Sequence, residues 1–534
     1  MYRYNPYNIS HFNTRKPFTE LKYLSSGNRD NSEQVISALH TQNVNEYVNI
    51  GLLYDLIASK GVYPDQNVST NRINLFCSYD KDDYSFYSSF HYNGHKAQEN
   101  GGLYDIPAFV NREADALNYR MYLEDANSRV KNMNLFFTQK LNLSALAKDS
   151  LSATRLDNFG FHHTLDYKRY NRTYSDFISD TDSLNYYQNQ FYLVNDIIDS
   201  AFYQNLSNRF DISVNMIGAS QEFRVYLKHE FKTFSFVKPT NLNYELEGVP
   251  VDTVIETYSK EHFNDLSVGG QFIGQLKTWN YSLNGQLYIT GYNIGDIYTE
   301  GNFVKNLNDK AKLQLNAELS SYNPSYFLNK YGSAHFIWKN DFSKTESTKI
   351  ALSYSKPDNI SARVSVNLFN DYVYLNTLAE PTQLKNELVI ASLFIDKTFV
   401  WGPFHNSHHF LLQKSSSDVV HLPLIAYKNR SWFQGALFNK ALYFQIGGEV
   451  YYFTEYYGDA YMAATGSFYL QNDQKIGNYP FVKGFLNVKI KRTRFTIQYT
   501  NALSSLMDAN YFMAYRYPNF NGSLKFGLAW TFYD

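Results

Sequence analysis

Hydrophobic and polar residues alternate along much of this chain with the two-residue period of a β-strand. The last thirteen residues, Gly522 to Asp534, place Leu524, Phe526, Leu528, Trp530 and Phe532 on one face. Ser523, Lys525, Gly527, Ala529 and Thr531 fall on the other. The apolar face is about nine residues long, roughly 27–30 Å at ~3.3 Å per residue, or roughly 20–25 Å high once tilted by ~40°. That height matches the apolar band of an outer-membrane barrel. The pattern therefore turns Phe526, Trp530 and Phe532 toward lipid, and Lys525 and Thr531 toward a lumen.

Similar segments recur from end to end. Lys310, Lys312, Gln314, Asn316 and Glu318 oppose Ala311, Leu313, Leu315, Ala317 and Leu319. Arg209 and Asp211 oppose Phe210 and Ile212; after a short turn at Gly218–Gln221, Arg224 and Lys228 oppose Phe223, Val225 and Leu227. Val268–Leu276, Tyr281–Asn293, Ala334–Phe342, Ile350–Tyr354, Ala362–Leu368, Leu442–Tyr452, Leu486–Ile490 and Phe495–Tyr499 follow the same rule. Counting such runs predicts about 20–24 antiparallel strands, an even-numbered transmembrane outer-membrane β-barrel forming a single domain over residues 1–534. More than about twenty strands cannot hide their apolar faces in one two-layer core, so the faces must meet lipid.

Connections are tight at Lys277–Asn280 and Lys491–Thr493 but long and polar near 103–130, 169–206, 238–262 and 455–478. Short periplasmic turns and long extracellular loops are the barrel signature. Asn111 to Ala126 has helix-forming residues with Leu117 and Met121 spaced to share a face, which reads as a short surface helix or a loop helix narrowing the lumen. The inward set is Arg209, Asp211, Arg224, Lys228, Lys310, Lys312, Glu318, Lys489 and Arg494. Ionisable groups within a membrane span must face water or a partner, so these residues mark a lumen.

Composition supports this picture. Among 534 residues there are 48 Tyr and 41 Phe, as expected for aromatic girdles at both membrane interfaces. Mean hydropathy is −0.43, and no run approaches the ~18 apolar residues of a spanning helix. With 49 basic and 50 acidic residues there is no global field to attract nucleic acid. The one cysteine, Cys77, shares a face with Ile73, Leu75 and Tyr79 and reads as a small buried or lipid-facing residue. The start, Met1 to Tyr7, has no export-signal features. Export to an outer membrane then implies that a signal peptide, and the first strand or strands, lie upstream of Met1.

Catalytic and metal signatures are weak. His229–Glu230 lacks the second histidine of a zinc-binding helix, because Thr233 stands there. Asp180 and Asp182 suggest a calcium loop, but Leu184 replaces the next ligand. His405 and His409 on a strand point the same way ~13 Å apart, too far to share one ion. There is no nucleophile elbow, no phosphate-binding loop and no dinucleotide fingerprint. We expect no enzymatic activity, no cofactor and no metal.

NTRKPFTELKYLSSG (13–27), HTQNV (40–44), ENGG (99–102), GSFYLQNDQKIGNYPFVKGFLNVKIKRTRF (466–495) and the terminal FGLAWTFYD together resemble the putative β-barrel porin family of Bacteroidota outer membranes. The resemblance implies an integral outer-membrane location and a barrel architecture; the alternating strands, the mixed-charge inner face and the absent catalytic motifs lead to the expectation of passive diffusion of small hydrophilic solutes. Lipid, solutes and, during insertion, the barrel-assembly machinery are the expected partners, with a lipoprotein or a second copy as further candidates. A structural docking barrel, and an energised transporter barrel lacking its plug, are the competing readings.

Overall fold

The computed structural model describes residues 5–6, 9–26, 32–142, 159–177, 186–187, 191, 196–216, 220–246, 249–307, 310–357 and 359–533. Twenty-two antiparallel strands form one closed sheet. They are β1 (18–26), β2 (33–43), β3 (48–59), β4 (68–81), β5 (84–98), β6 (127–142), β7 (159–177), β8 (196–216), β9 (221–246), β10 (249–276) and β11 (279–288). The second half comprises β12 (297–306), β13 (312–322), β14 (345–356), β15 (360–370), β16 (388–401), β17 (404–415), β18 (425–437), β19 (442–453), β20 (481–490), β21 (493–500) and β22 (523–533). Each strand pairs with its sequence neighbours, and β22 closes on β1 with Phe18 opposite Tyr533 and Ser26 opposite Lys525. The strand expected upstream of Met1 as the partner of β22 is thus Phe18–Ser26, a short run whose alternation is easily overlooked.

Because pairing preserves the side of the sheet, one face can be followed around the whole barrel. On β22 the outward residues Leu524, Phe526, Leu528 and Trp530 are exposed, as is the terminal Tyr533, while Thr531 is buried and Lys525 pairs with Glu33. Phe532 lies on the outer face with its ring 4.3 Å from that of Trp530. On β9, Phe223, Val225 and Leu227 are likewise exposed, and on β4 Leu75 is exposed with the half-exposed Cys77 on the same face. Near the tight turns this outer face ends in aromatics. Trp401 stacks on Phe399 at 5.4 Å and on Phe404 at 5.9 Å, and Tyr79 stacks on Phe86 at 5.6 Å. Such rings suit a headgroup boundary, where an apolar body meets a wet edge.

Most tight turns share one end with both termini; the β9–β10 hairpin, with two residues between its strands, closes at the other end. Two-residue turns, such as Asp82–Asp83 and Lys277–Thr278, use left-handed backbone at Asp82 (φ 50°) and Lys277 (φ 53°), the twist that matches flanking strands. Lys310 also has φ 65° and sits in the β12–β13 turn, not on the inner wall; the alternating run begins at Lys312.

The other end carries the long connections, and here four sequence expectations are corrected. Much of 169–206 is wall and not connection, since β7 runs on to Phe177 and β8 starts at Asp196. Residues 238–262 are not a loop: β9 and β10 continue pairing as one hairpin up to Leu246 and Val249. Backbone pairing needs no hydrophobic alternation, so it persists where the alternation of the sequence fades. Ala334–Phe342 is not a wall strand. Only Ile337–Lys339 is extended, pairing with Lys330–Gly332 inside the β13–β14 connection. Residues 111–126 do not form a helix either. A short helix, α1 (Ile106–Val110), precedes them, capped by the Asp105 side chain on Ala108 N at 3.0 Å, and a single 3-10 turn covers Ala116–Asn118. Leu117 is exposed and Met121 buried, so the two do not share a face. The Gly218–Gln221 turn lies largely, and the Asp180–Leu184 segment wholly, outside the described residues.

Candidate solute passage: a charged wall under a loop lid

The inner face is lined by ion pairs between neighbouring residues on the wall. Arg209 pairs with Asp211 at 2.5 Å and lies 3.7 Å over the Tyr226 ring, while Arg224 pairs with Glu222 at 2.6 Å. Higher on β9, Lys228 and Lys232 flank Glu230 at 3.0 and 3.7 Å, Lys232 reaches Asp265 at 2.6 Å, and Tyr288 donates to Glu230 at 2.7 Å. Around the wall, Lys349 meets Glu318 at 3.3 Å, Lys483 meets Glu449 at 2.8 Å and Arg494 meets Glu20 at 2.7 Å. Lys489 stands opposite Arg494 across β20–β21, and Lys312 opposite Ser355 across β13–β14. With the exception of Lys310, every charged residue expected to face inward lies on this one face. His405 and His409 share it too, His405 stacking on Trp432 at 4.9 Å and His409 pairing with Asp396 at 2.6 Å.

A cylinder of 22 strands spaced ~4.8 Å and tilted ~40° has a backbone radius of roughly 22 Å, leaving a lumen of roughly 30 Å inside its side chains. So wide an opening is no barrier to anything small, and here the long connections fold across it. One buried cluster joins Leu123 and Ala126 of the β5–β6 connection to Tyr187, Tyr326, Phe336, Ala379 and Met462–Ala464 from four other connections, all against Tyr174, Phe234 and Phe236 of the wall. A second cluster joins Tyr63, Leu103, Phe109, Met121, Ile476, Tyr479, Tyr511 and Phe512. Together they form a lid. Phe234 is ten residues above Arg224 on β9, so the lid sits ~25 Å above the Arg224 level of the wall.

Specific polar contacts hold the lid to the wall. Arg172 of β7, almost fully buried, donates to the carbonyls of Ala464 at 2.6 Å and Ala463 at 2.5 Å. Gly466, with φ +66°, lies against it: a Cβ there would be 2.7 Å from Arg172 Nε. Asp199 of β8 accepts from Ala334 N at 2.9 Å, and His335 stacks flat on Tyr187 at 3.6 Å. Glu99 is buried, accepting from Ser128 and from Tyr461 at 3.2 Å. Burial pushes its carboxyl above the ordinary value, only partly offset by the Ser128 bond and by the Arg172 charge. Burial likewise drives the hydroxyls of Tyr186 and Tyr187 upward, so they remain neutral donors.

Sequence patterns had marked two of these joints without revealing their role. In ENGG, Gly101 (φ 67°) and Gly102 (φ 83°) bring the β5–β6 connection against the β21–β22 connection, where Leu103 N donates to Arg516 O at 2.9 Å and Arg516 Nη1 returns a bond to Leu103 O at 3.0 Å. In QNDQKIGNYP, Gln471 braces its own loop through Gly458 O, Gln474 O and two backbone amides, and Tyr479 donates to Asn501 at 2.8 Å. Arg172, Asp199 and His335 had no such signal; each looks like an ordinary alternating polar residue.

The whole chain, residues 1–534, matches the protein family described as "Putative porin". The chain belongs to this porin family. No curated protein matches it. Among solved structures, the porin superposes on the ferric enterobactin receptor of Pseudomonas aeruginosa with a TM-score of 0.65 at 10% identity, covering 97% of this chain and 81% of that one. The siderophore receptor PirA of Acinetobacter baumannii gives 0.65 at 9%, covering 98% and 81%, and the copper transporter OprC gives 0.66 at 9%, covering 98% and 82%. At such identities the likeness is one of fold. The porin shares their large outer-membrane type of barrel.

Proposed function

We propose that this barrel sits in the bacterial outer membrane and passes small hydrophilic solutes by passive diffusion. The observation that carries the reading is the charged inner face, whose ion pairs on β8–β10 climb from Arg224 and Glu222 near the tight-turn end to Lys232 and Asp265 beneath the lid. Ion pairs in a water-filled lumen keep the wall hydrophilic without a strong net field, so selectivity by charge is weak. Purified protein added to planar bilayers should give discrete conductance steps, and liposomes carrying it should swell in small sugars. A folded barrel with neither property would refute the reading.

A closed docking barrel is favoured by one observation, the seven-connection lid that leaves Leu506 and Leu117 exposed. Its partner would be a lipoprotein or a second copy of the chain. Recovery of the lone barrel from gentle detergent, with no stoichiometric companion, counts against it. The fold shared with siderophore receptors raises energised import as a further test: solute uptake that vanishes when the proton gradient is collapsed would replace diffusion.

A further inference from the structure

Between the lid and the inner wall of β2–β5 lies a cavity of about 580 Å³, within the ~300–1,000 Å³ range of small-molecule sites. Its wall side is built from inward-facing residues of four adjacent strands, including Glu33 and Ser59, and its lid side from four connections. We propose that this cavity is a binding subsite for short neutral oligosaccharides; the inference deepens the diffusion reading by naming a solute class.

Four side-chain amides line the cavity; Asn100 is engaged on both sides, accepting from Gly102 N at 3.1 Å and donating to Pro64 O at 2.9 Å, and the other three each spend the carbonyl oxygen within the protein. Gln66 accepts from Tyr63 N at 3.4 Å, Gln98 from the Asn67 amide, and Asn519 from Phe520 N at 2.8 Å. What each has left to offer is its NH₂ group, so the cavity presents donors to an acceptor-rich occupant. Beside the rings of Tyr461 and Tyr517, two phenyl rings border the same space, Phe468 at 60% exposed and Phe520 at 38%. Phenyl faces beside a hydrophilic passage gain nothing from water, whereas the C–H face of a pyranose covers such a ring while its hydroxyls reach the amides.

Charge narrows the class. Glu33 is neutralised by Lys525 at 2.5 Å, and Glu99 is occupied by Ser128 and Tyr461. An anion would meet two carboxylates; a cation would meet Lys525 and the donor side of the amides. A neutral polyhydroxyl ligand meets neither penalty.

The test uses the full chain in detergent, titrated calorimetrically with maltotriose, cellotriose, trigalacturonate and trialanine, beside bilayer recordings of the same preparation. At least one neutral trisaccharide should bind saturably and lower the conductance, and Phe468→Ala and Gln98→Ala should each weaken binding by ~3–10-fold. Phe468 is exposed, so its truncation tests binding without touching the buried lid; heat-modifiable migration on gels confirms folding of both variants. Failure of both neutral trisaccharides to bind overturns the subsite while leaving the channel intact. Tighter binding of trigalacturonate or trialanine, or binding indifferent to both substitutions, overturns it as well. Saccharide binding without conductance upholds the subsite and overturns the diffusion reading alone.

Discussion

Arg172 should control how firmly the lid closes. Its guanidinium supplies the charge-assisted bonds to the Ala463 and Ala464 carbonyls, and both alanines are fully buried. Arg172→Met keeps an aliphatic stem against Tyr174 and removes both donors. Each orphaned buried carbonyl costs ~1–3 kcal/mol, so the closed lid loses ~2–6 kcal/mol relative to a released loop whose carbonyls reach water. At ~1.4 kcal/mol per tenfold, the closed-to-open ratio falls by at least ~30-fold. Single-channel recording should show longer or larger openings, and limited proteolysis should cut the 454–480 connection faster. Arg172→Lys, a single point charge in place of a planar fork, should be intermediate. Gly466→Ala should act in the same direction, because its Cβ would stand 2.7 Å from Arg172 Nε at a φ of +66°. A folded Arg172→Met barrel with unaltered conductance and unaltered protease resistance would refute the idea that this clamp holds the lid.

Other expectations follow from the wall, the outer face and the lid. Asp265 is fully buried, pairs with Lys232 and accepts from Tyr292 N at 2.7 Å, so Asp265→Ala should destabilise the barrel by ~3–5 kcal/mol in urea unfolding, with Asp265→Asn milder. Phe526→Arg on the exposed outer face should cost ~2–4 kcal/mol in lipid, whereas Lys525→Arg on the inner face should stay within ~0.5 kcal/mol; equal costs would mean the faces are assigned the wrong way round. Glu99 has a carboxyl raised by burial above its ordinary 4.5, so the closed lid binds a proton that the released loop sheds. Lid stability is then complete below pH ~4.5 and declines as pH rises through the raised value, and channel activity should rise over that window. Glu99→Gln should flatten the pH dependence; an unchanged profile would assign it to another group.

The wall of this barrel was legible in the sequence and the lid was not, for a physical reason. Each wall strand must satisfy two solvents at once, so Leu524, Phe526, Leu528 and Trp530 alternate with Lys525 and Thr531 in a two-residue rhythm that needs no distant partner to be read. The lid buries its apolar residues against segments far away in the chain. Leu103 meets Phe512, and Tyr174 meets Tyr187 and Phe336, pairings that leave no period. Where a lid segment happens to alternate, as at Ala334–Phe342, the rhythm misleads: Ala334, His335 and Phe336 are all buried, because the segment is surrounded by protein and has no outer side. Glu99 shows the same limit from the polar side, since nothing local distinguishes a carboxylate closed in by Ser128 and Tyr461 from a solvated one.

Barrel size and loop length are linked in this molecule. Twenty-two strands make a lumen far wider than any small solute, so under the proposed diffusion permeability would be set by what crosses the lid and not by the wall. The connections at the tight-turn end need only reverse the chain, and two residues suffice at Asp82–Asp83 and Lys277–Thr278. Those at the other end must reach inward, meet each other and bury enough apolar surface to stay in place. That requirement accounts for the aromatic content of the connections as well as of the girdle: Tyr187, Tyr326, Phe336, Tyr479, Tyr511 and Phe512 supply large buried rings from short stretches of backbone. A lid built from many connections also opens in parts. Releasing Arg172 frees the 454–480 connection from β7 while the Leu103–Arg516 joint still ties the β5–β6 and β21–β22 connections together, so partial conductance levels, not one all-or-none opening, are the expected behaviour of the wild-type channel.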